Sequence, residues 1–181
     1  MPTTAPVLTT ERTLLSPFTT HDAPALLPVF RDPDVRAFLL DDVLVGPDWI
    51  DAEIAASERR FDRFGTGLWC VRLHGEPGIV GFVGFREFLD PPELQLLYGL
   101  LPACWGKGLA TEITARTCDY ALRDLGRDRV TATTDLQNRA SARVLRHLGM
   151  QVVRIEGGDD GTAHFAVDRD TWCTRLQGAA S

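Results

Sequence analysis

The most constraining feature of this chain is an apolar strand pattern that leads into a glycine-rich loop and then a helical pattern. Residues 94–101 are apolar at nearly every position, which is typical of a strand covered on both faces. The loop that follows contains Gly106 and Gly108. From 110 to 125 apolar residues recur at helical spacing, and Gly126 is well placed to end that helix. The segment therefore predicts a strand, loop and helix unit.

A glycine-rich loop at the start of a helix can bind an anion. The first backbone N–H groups of a helix lack partners, and the helix dipole favours negative charge. Glycine at 106 and 108 would let a phosphate approach the backbone closely. A Walker loop needs Ser or Thr after Lys107, where Gly108 stands, and a dinucleotide fingerprint needs Gly or Ala at Thr111. Neither motif fits, and taken alone the loop can also be a simple tight connection.

The rest of the chain mixes strand patterns with helical patterns, and no internal repeat or linker interrupts them. Strand patterns cover residues 12–18, 68–73, 79–88, 130–134, 150–155 and 162–167. Helical patterns cover residues 21–31, 34–40, 47–65 and 138–149. We therefore expect an α+β fold, with an α/β-like mixed sheet, in a single domain over residues 1–181 with a core of about 10–170.

Composition narrows the class of protein. The chain is 44% hydrophobic and 24% charged, which is enough apolar content for a buried core. No apolar stretch is long enough to span a bilayer, and the first residues lack a signal-peptide pattern, so we expect no membrane partner. The net charge of −6 argues against binding to nucleic acid. The four cysteines and four histidines are scattered without ligand spacing, which predicts reduced thiols, a cytoplasmic location and no metal.

Three pieces of sequence occur in an order that is similar to a known family. They are the opening strand 12–18, the block 96–112 with Trp105-Gly106-Lys107-Gly108-Leu109-Ala110-Thr111, and the segment 138–150 that begins at Asn138. Together they resemble the GNAT acetyltransferase superfamily, in its RimJ/RimL-like branch of ribosomal-protein N-terminal acetyltransferases. The resemblance covers nearly the whole chain. It implies a central, mostly antiparallel sheet, flanked by helices and splayed between strands 94–101 and 130–134 where acetyl-CoA binds.

The resemblance also implies how acetyl-CoA would be held. Its diphosphate would lie on the backbone amides of the loop, and its pantetheine arm would run along the edge of strand 94–101. Arg139, Arg143 and Arg146 are candidates for the 3′-phosphoadenosine end, although an exposed helix face would carry arginines too. The residues expected to bind acetyl-CoA are Leu100, Leu101, Gly106, Lys107, Gly108, Leu109, Ala110, Thr111, Asn138, Ser141, Arg143 and Arg146.

In this family an amine attacks the thioester carbon directly, so a site needs an oxyanion donor and an acid for the leaving thiolate. A main-chain N–H at Leu100 or Leu101 is the expected donor. Many members place a tyrosine acid where this chain has Leu145. Ser141, on the same side of the helix as Asn138, is the expected substitute, and its alternative role is to satisfy the helix N-terminus.

The base that deprotonates the amine is less clearly indicated. Similar chains usually carry Glu at the position of Gln95, and Gln cannot accept a proton at neutral pH. Glu93 lies two residues earlier on the same face, so it is the candidate base, and His74 or a water chain are alternatives. A solvated carboxylate at the strand end is the competing interpretation of Glu93.

The acceptor amine is expected over residues 30–50, where Phe30, Phe38, Asp41, Asp42 and Trp49 stand out. The carboxylates of Asp41 and Asp42 would attract a cationic amine. The aromatic residues have a competing interpretation, because at such spacing they more often belong to the core. The first interpretation of Tyr98 is a core residue of the strand, and the second is a part of the acceptor pocket. The acceptor is either a protein N-terminal α-amine or a small cationic amine, and the chain is a monomer or a homodimer.

The alternative function from another class is a catalytically idle acyl-CoA-binding or sensing module of the same fold. Leu145 and Gln95 favour it, because both replace residues that many members use in catalysis. Asn138 and Ser141 argue the other way, because a pure binder needs no acid beside the sulfur.

Overall fold

A computed structural model describes residues 5–39, 42–89 and 91–179, with side chains as far as Arg175. Within these residues eight strands form one sheet in the order β1-β2-β3-β4-β5-β6-β8-β7. The strands are β1 Leu8–Thr9, β2 Thr13–Pro17, β3 Leu68–Leu73, β4 Gly81–Phe88, β5 Glu93–Leu100, β6 Arg129–Asp135, β7 Gln151–Glu156 and β8 Thr162–Asp168. All neighbours are antiparallel except β5 and β6, which are parallel. The prediction of a mixed, mostly antiparallel sheet is confirmed.

Six α-helices accompany the sheet in the described part of the chain. They are α1 Ala23–Arg31, α2 Pro33–Arg36, α3 Pro47–Phe64, α4 Leu109–Asp119, α5 Arg139–His147 and α6 Arg169–Ala179. The predicted helix 34–40 is shorter than expected: α2 begins at a cap made by the Asp32 carboxylate and ends at Arg36. A π-helical turn, Tyr120–Asp124, continues α4. The helical segment thus ends one residue before the end of the predicted pattern at 125. Helix α6 was not predicted, because its apolar residues do not follow a helical period.

Two apolar clusters cover the two faces of the sheet. Helices α1, α2 and most of α3 pack on one face through residues such as Phe30 and Ile54. Helices α4, α5 and α6 pack on the other face through residues such as Ile113 and Leu145. Strand β5 contributes to both clusters, which explains why nearly every one of its positions is apolar. We call these the α1–α3 face and the α4–α6 face.

The sheet opens between β5 and β6, and we call this gap the splay. Strand β4 pairs with β5 along eight positions, whereas β5 pairs with β6 only where Gln95 lies opposite Thr131. The two strands separate beyond that point toward their C-terminal ends. The edge of β5 that faces β6 therefore has free backbone groups over most of its length. No helix of the described chain is long and apolar enough to cross a membrane.

Candidate functional site

The loop between β5 and α4 presents a row of uncommitted backbone N–H groups at the open end of the splay. Gly106 and Gly108 have φ values of 71° and 75°, which only glycine adopts without strain. The first helical hydrogen bond of α4 runs from Glu112 N–H to the Gly108 carbonyl. In the described chain the N–H groups of residues 106–111 have no protein acceptor. A side chain added at Gly106 would meet no atom within 4 Å, so the loop is open to an anion.

Arg12, which directly precedes β2, ties this loop to α4. Its Nη1 donates to the Lys107 carbonyl at 2.7 Å, and its Nε donates to Glu112 Oε2 at 2.6 Å. Its own backbone N–H donates to Glu112 Oε1 at 2.9 Å. Burial opposes ionisation of Glu112, but hydrogen bonds from Thr10 and Arg12 and the Arg12 charge together lower its pKa. Sequence reasoning missed this link, because its two ends lie about a hundred residues apart.

Two side chains of the loop fold back onto its own backbone. The Trp105 indole N–H donates to the Leu100 carbonyl at 2.7 Å, and the Lys107 ammonium donates to the Ala103 carbonyl at 2.8 Å. Both contacts hold the turn after β5. Lys107 is exposed, so its charge stays available beside the free N–H groups.

The direction of each backbone N–H of β5 determines whether it faces β4 or the gap between β5 and β6. The N–H of Leu101 donates to the Val80 carbonyl at 2.8 Å, so it faces β4. Successive N–H groups of a strand point to opposite edges, so those of Leu100 and Tyr98 face the splay. The expectation for Leu101 as an oxyanion donor is therefore corrected: Leu100 has the free N–H. The Leu101 side chain packs on the α1–α3 face.

Tyr98 and Ser141 meet on the α4–α6 face. Their hydroxyl oxygens are 2.8 Å apart, and Asn138 Oδ1 caps α5 by accepting from the Ser141 N–H at 3.0 Å. Burial raises the pKa of Tyr98 to about 12, although the bond to Ser141 lowers it, so the phenol stays neutral and can donate. The first interpretation of Tyr98, a core residue of the strand, agrees with its packing in the apolar cluster of the α4–α6 face. Its second interpretation, a part of the acceptor pocket, stays a prediction, and its side chain lies on the opposite face from Phe30.

Gln95 and Glu93 point to the α1–α3 face, where they join β5 to β6. Gln95 is 1% exposed, and its Oε1 accepts from the Thr133 hydroxyl at 2.9 Å. Glu93 is exposed, and its two carboxylate oxygens accept from Thr131 at 2.8 Å and from Gln95 Nε2 at 3.3 Å. Gln95 therefore acts as a hydrogen-bonded tie at the point where the strands part.

A buried charge cluster lies next to Gln95 on the same face. Arg86, opposite Gln95 in the β4–β5 ladder, donates to Glu53 at 3.0 Å. Its guanidinium lies 5.7 Å from the ring centroid of Trp49. Trp49 also makes an edge contact with Phe30, with centroids 5.2 Å apart, so it belongs partly to the core.

The other expected acceptor residues lie between α2 and α3. Phe38 is 50% exposed, and Asp42 forms an ion pair with Arg36 at 3.0 Å. Asp41 lies outside the described residues. His74 is in the turn after β3, with Nε2 3.1 Å from the Thr10 carbonyl, on the opposite side of β4 from the splay.

The three arginines expected at the adenosine end share one cavity. It has a volume of about 580 Å³ and is lined by β6, α5 and β8, including Arg139, Arg143, Arg146 and Phe165. The Arg146 guanidinium lies 5.7 Å from the Phe165 ring centroid. The loop residues 106–111 are not part of this lining, so the arginines and the loop form two separate cationic surfaces. Among the described residues no three possible metal ligands come together.

Comparisons with known proteins agree with this geometry. The family model described as "Acetyltransferase (GNAT) domain" matches residues 12–151. An uncharacterized N-acetyltransferase, YoaA of Bacillus subtilis (strain 168), is 23% identical over 147 residues, which is 81% of this chain and 83% of YoaA. A ribosomal-protein-S5-alanine acetyltransferase from Vibrio fischeri has a similar fold, with a TM-score of 0.78 and 17% identity over 92% of this chain and 98% of that chain. RimL, a ribosomal L7/L12 α-N-protein acetyltransferase solved with coenzyme A, gives a TM-score of 0.74 and 16% identity over 92% of this chain and 98% of its own.

Proposed function

Because this chain belongs to the GNAT acetyltransferase family, we propose that it transfers an acetyl group from acetyl-CoA to a primary amine by direct attack on the thioester. The observation that carries the proposal is the free edge of β5 beside six backbone N–H groups without acceptors at residues 106–111. The pantetheine arm of acetyl-CoA needs a free strand edge, and its diphosphate needs free N–H groups at the end of that edge.

The donor site would use backbone more than side chains. The N–H groups of residues 106–111 suit the diphosphate, and the Lys107 charge lies beside them. The β5 edge suits the amides of the pantetheine arm, which would pair as an added strand. The arginine-lined cavity beside α5 suits a terminal phosphate, because guanidinium groups bind phosphate with two hydrogen bonds.

Acetyl-CoA supplies the thioester carbon that the amine attacks. The Leu100 N–H faces the splay and is proposed to donate to the carbonyl oxygen as negative charge develops there. Ser141 is proposed to donate its hydroxyl proton to the leaving sulfur, and Tyr98 replaces that proton through their 2.8 Å hydrogen bond. The phenolate that this leaves on Tyr98 takes a proton from solvent, which returns the pair to its neutral state. The pair thereby takes the role that a tyrosine at Leu145 would have had.

We propose that the acceptor is the N-terminal α-amine of a protein or peptide. Among the described residues between α2 and α3, three large apolar side chains are about half exposed: Phe38, Val43 and Leu44. An open apolar surface suits a chain segment better than a small cation, which needs an enclosing pocket. Asp42 is neutralised by Arg36, which weakens the expected attraction for a cationic amine.

The test is calorimetric titration with acetyl-CoA, together with thiol release in the presence of short N-terminal peptides, polyamines and aminoglycosides. Gly108→Trp places a bulky group in the loop, and Gly75→Trp is the matched control. Gly75 also has a positive φ, and a Cβ there would meet nothing within 4 Å. We expect binding in the parent and the control, loss of binding in Gly108→Trp, and turnover of the peptides.

Other results would point elsewhere. Turnover of polyamines or aminoglycosides alone would refute the peptide acceptor and keep the acetyltransferase. Binding of acetyl-CoA without turnover of any amine would favour the idle binding module. Absence of binding in the parent protein would refute the proposed function.

A further inference from the structure

A buried histidine on β8 is held by a carboxylate on β7. His164 is 7% exposed, and its Nε2 lies 3.1 Å from Glu156 Oε2. Arg154 Nη1 lies 2.8 Å from Glu156 Oε1 on the same strand, so the carboxylate is held from two sides. None of these three residues belongs to the loop or to the strand edge assigned above to acetyl-CoA.

The sheet register places His164 one strand away from the splay, across β6. His164 lies directly opposite Thr133 in the antiparallel ladder of β6 and β8, so the two side chains share the α1–α3 face. Thr133 in turn donates to Gln95 on β5. A continuous row of polar side chains thus crosses β5, β6, β8 and β7, and it begins where β5 and β6 part.

His164 Nε2 has two neighbours, Glu156 Oε2 at 3.1 Å and Arg154 Nη2 at 3.5 Å. The shorter contact is to a carboxylate, which can only accept, so it assigns the proton of the neutral ring to Nε2. A neutral imidazole that donates from Nε2 to a carboxylate carries its free lone pair on Nδ1. In the described part of the chain no donor occupies Nδ1. The arrangement of carboxylate, imidazole and free nitrogen is the one that orients a general base in other enzymes.

We propose that His164 is the general base of the acetyl transfer and that Glu156 is its positioning residue; this rests on the proposed function. As the amine nitrogen forms its bond to the thioester carbon and the carbon–sulfur bond breaks, the amine loses one proton. That proton moves through water to Nδ1 of His164, because β6 lies between β8 and the splay, while Ser141 gives a proton to the sulfur. His164 becomes an imidazolium that the Glu156 carboxylate stabilises.

The other candidates on this face fit the role less well. Gln95 has no basic atom, and both carboxylate oxygens of Glu93 already accept hydrogen bonds. His74 lies beyond β4 from the splay. The charged or titratable groups on the strands around His164 that share its face are Glu93, Arg129, Asp135, Arg154, Glu156 and Asp168. Arg129 and Asp168 pair with each other at 2.6 Å, and Arg154 pairs with Glu156.

The test measures kcat against pH for the best peptide of the panel, in the parent, His164→Gln, Glu156→Gln and the control His21→Gln. His21 is exposed in the turn before α1. We expect kcat of His164→Gln to fall by about 10²-fold or more, with loss of the ascending limb at acid pH. Acetyl-CoA affinity should stay unchanged by calorimetry, and added imidazole should restore part of the rate.

Glu156→Gln guards against a folding defect in His164→Gln. We expect a smaller fall in kcat than in His164→Gln, because the ring loses the carboxylate that orients it but keeps its basic nitrogen. Nitrogen NMR of the labelled parent should show the neutral His164 ring protonated at Nε2, which is a readout independent of turnover. His21→Gln should behave as the parent.

Three outcomes would overturn the inference. One is a folded His164→Gln variant that binds acetyl-CoA and keeps the parent kcat and its dependence on acid pH. That result would refute this inference and leave the proposed function standing. Another is a neutral ring protonated at Nδ1. A parent that fails to bind acetyl-CoA, or binds it and turns over no amine, would refute the proposed function and this inference with it.

Discussion

The hydroxyl pair of Tyr98 and Ser141 provides a sharp test of how the leaving sulfur is protonated. Tyr98→Phe keeps the ring and removes only the hydroxyl that lies 2.8 Å from Ser141 Oγ. Loss of one neutral hydrogen bond costs about 0.5–1.5 kcal/mol of unfolding free energy. For a chain of this size that corresponds to a fall in Tm of about 2–4 °C per kcal/mol. The variant should therefore fold, so its kinetics can be interpreted.

If Ser141 donates the proton and Tyr98 replaces it, the two act as one unit. Tyr98→Phe and Ser141→Ala should each lower kcat by about 10-fold to 10²-fold, with acetyl-CoA affinity unchanged. The double variant should be no slower than Ser141→Ala alone, because the second change removes an interaction already lost. Thiol release at saturating substrates measures all three variants against the parent.

Tyr120→Phe is the matched control. The Tyr120 hydroxyl donates to the Gly65 carbonyl at 2.8 Å, away from the splay. It should lose a similar amount of stability and keep the parent kcat. Multiplicative losses in the Tyr98 and Ser141 double variant, or an unchanged kcat in Tyr98→Phe beside a slow Ser141→Ala, would refute the relay.

Three other perturbations test contacts elsewhere in the structure. Arg12→Ala should weaken acetyl-CoA binding about tenfold in calorimetry with little change in kcat, because the loop loses its tie to β2; unchanged affinity would show that the loop holds its shape alone. Burial raises the pKa of the Cys70 and Cys118 thiols from 9.0 to about 12, so the unfolded chain loses these protons first. The free energy of unfolding should therefore fall as pH rises from 9 towards 12, measured with urea under reducing conditions, and Cys70→Ala should flatten that slope. Gly84→Ala should cost about 1–3 kcal/mol or more in the same assay, because its Cβ would collide with the Gly67 carbonyl oxygen at a φ of 152°. Gly75→Ala, in an open turn, should cost clearly less, and equal losses would contradict the packing argument.

Local features of the fold were predictable because neighbouring residues produce them. The glycines at 106 and 108 require positive φ, and Asn138 caps α5 through the N–H of Ser141, three residues on. The apolar run of β5 indicated a strand between two layers, and the structure has apolar clusters on both faces. Helix α6 escaped prediction, because it lacks the apolar periodicity on which such predictions depend.

The candidate site divides in the same way. The loop that is proposed to hold the diphosphate could be predicted, since a short stretch of chain contains the glycines and the helix start. The direction of the N–H groups of Leu100 and Leu101 could not, because it depends on the register of β5 against β4. The side of the sheet on which Tyr98 lies follows from that register as well.

Sequence alone therefore determined most of the strands and helices, the glycine loop and the family resemblance, all of which rest on short-range conformational preferences and motif order. Tertiary structure decided which distant side chains meet: Arg12 with Glu112, Tyr98 with Ser141, and His164 with Glu156 beside Thr133. The physical reason is that strand pairing and helix packing are set by burying two apolar clusters at once. Contacts between residues far apart in the chain depend on that global arrangement, and no local pattern encodes them.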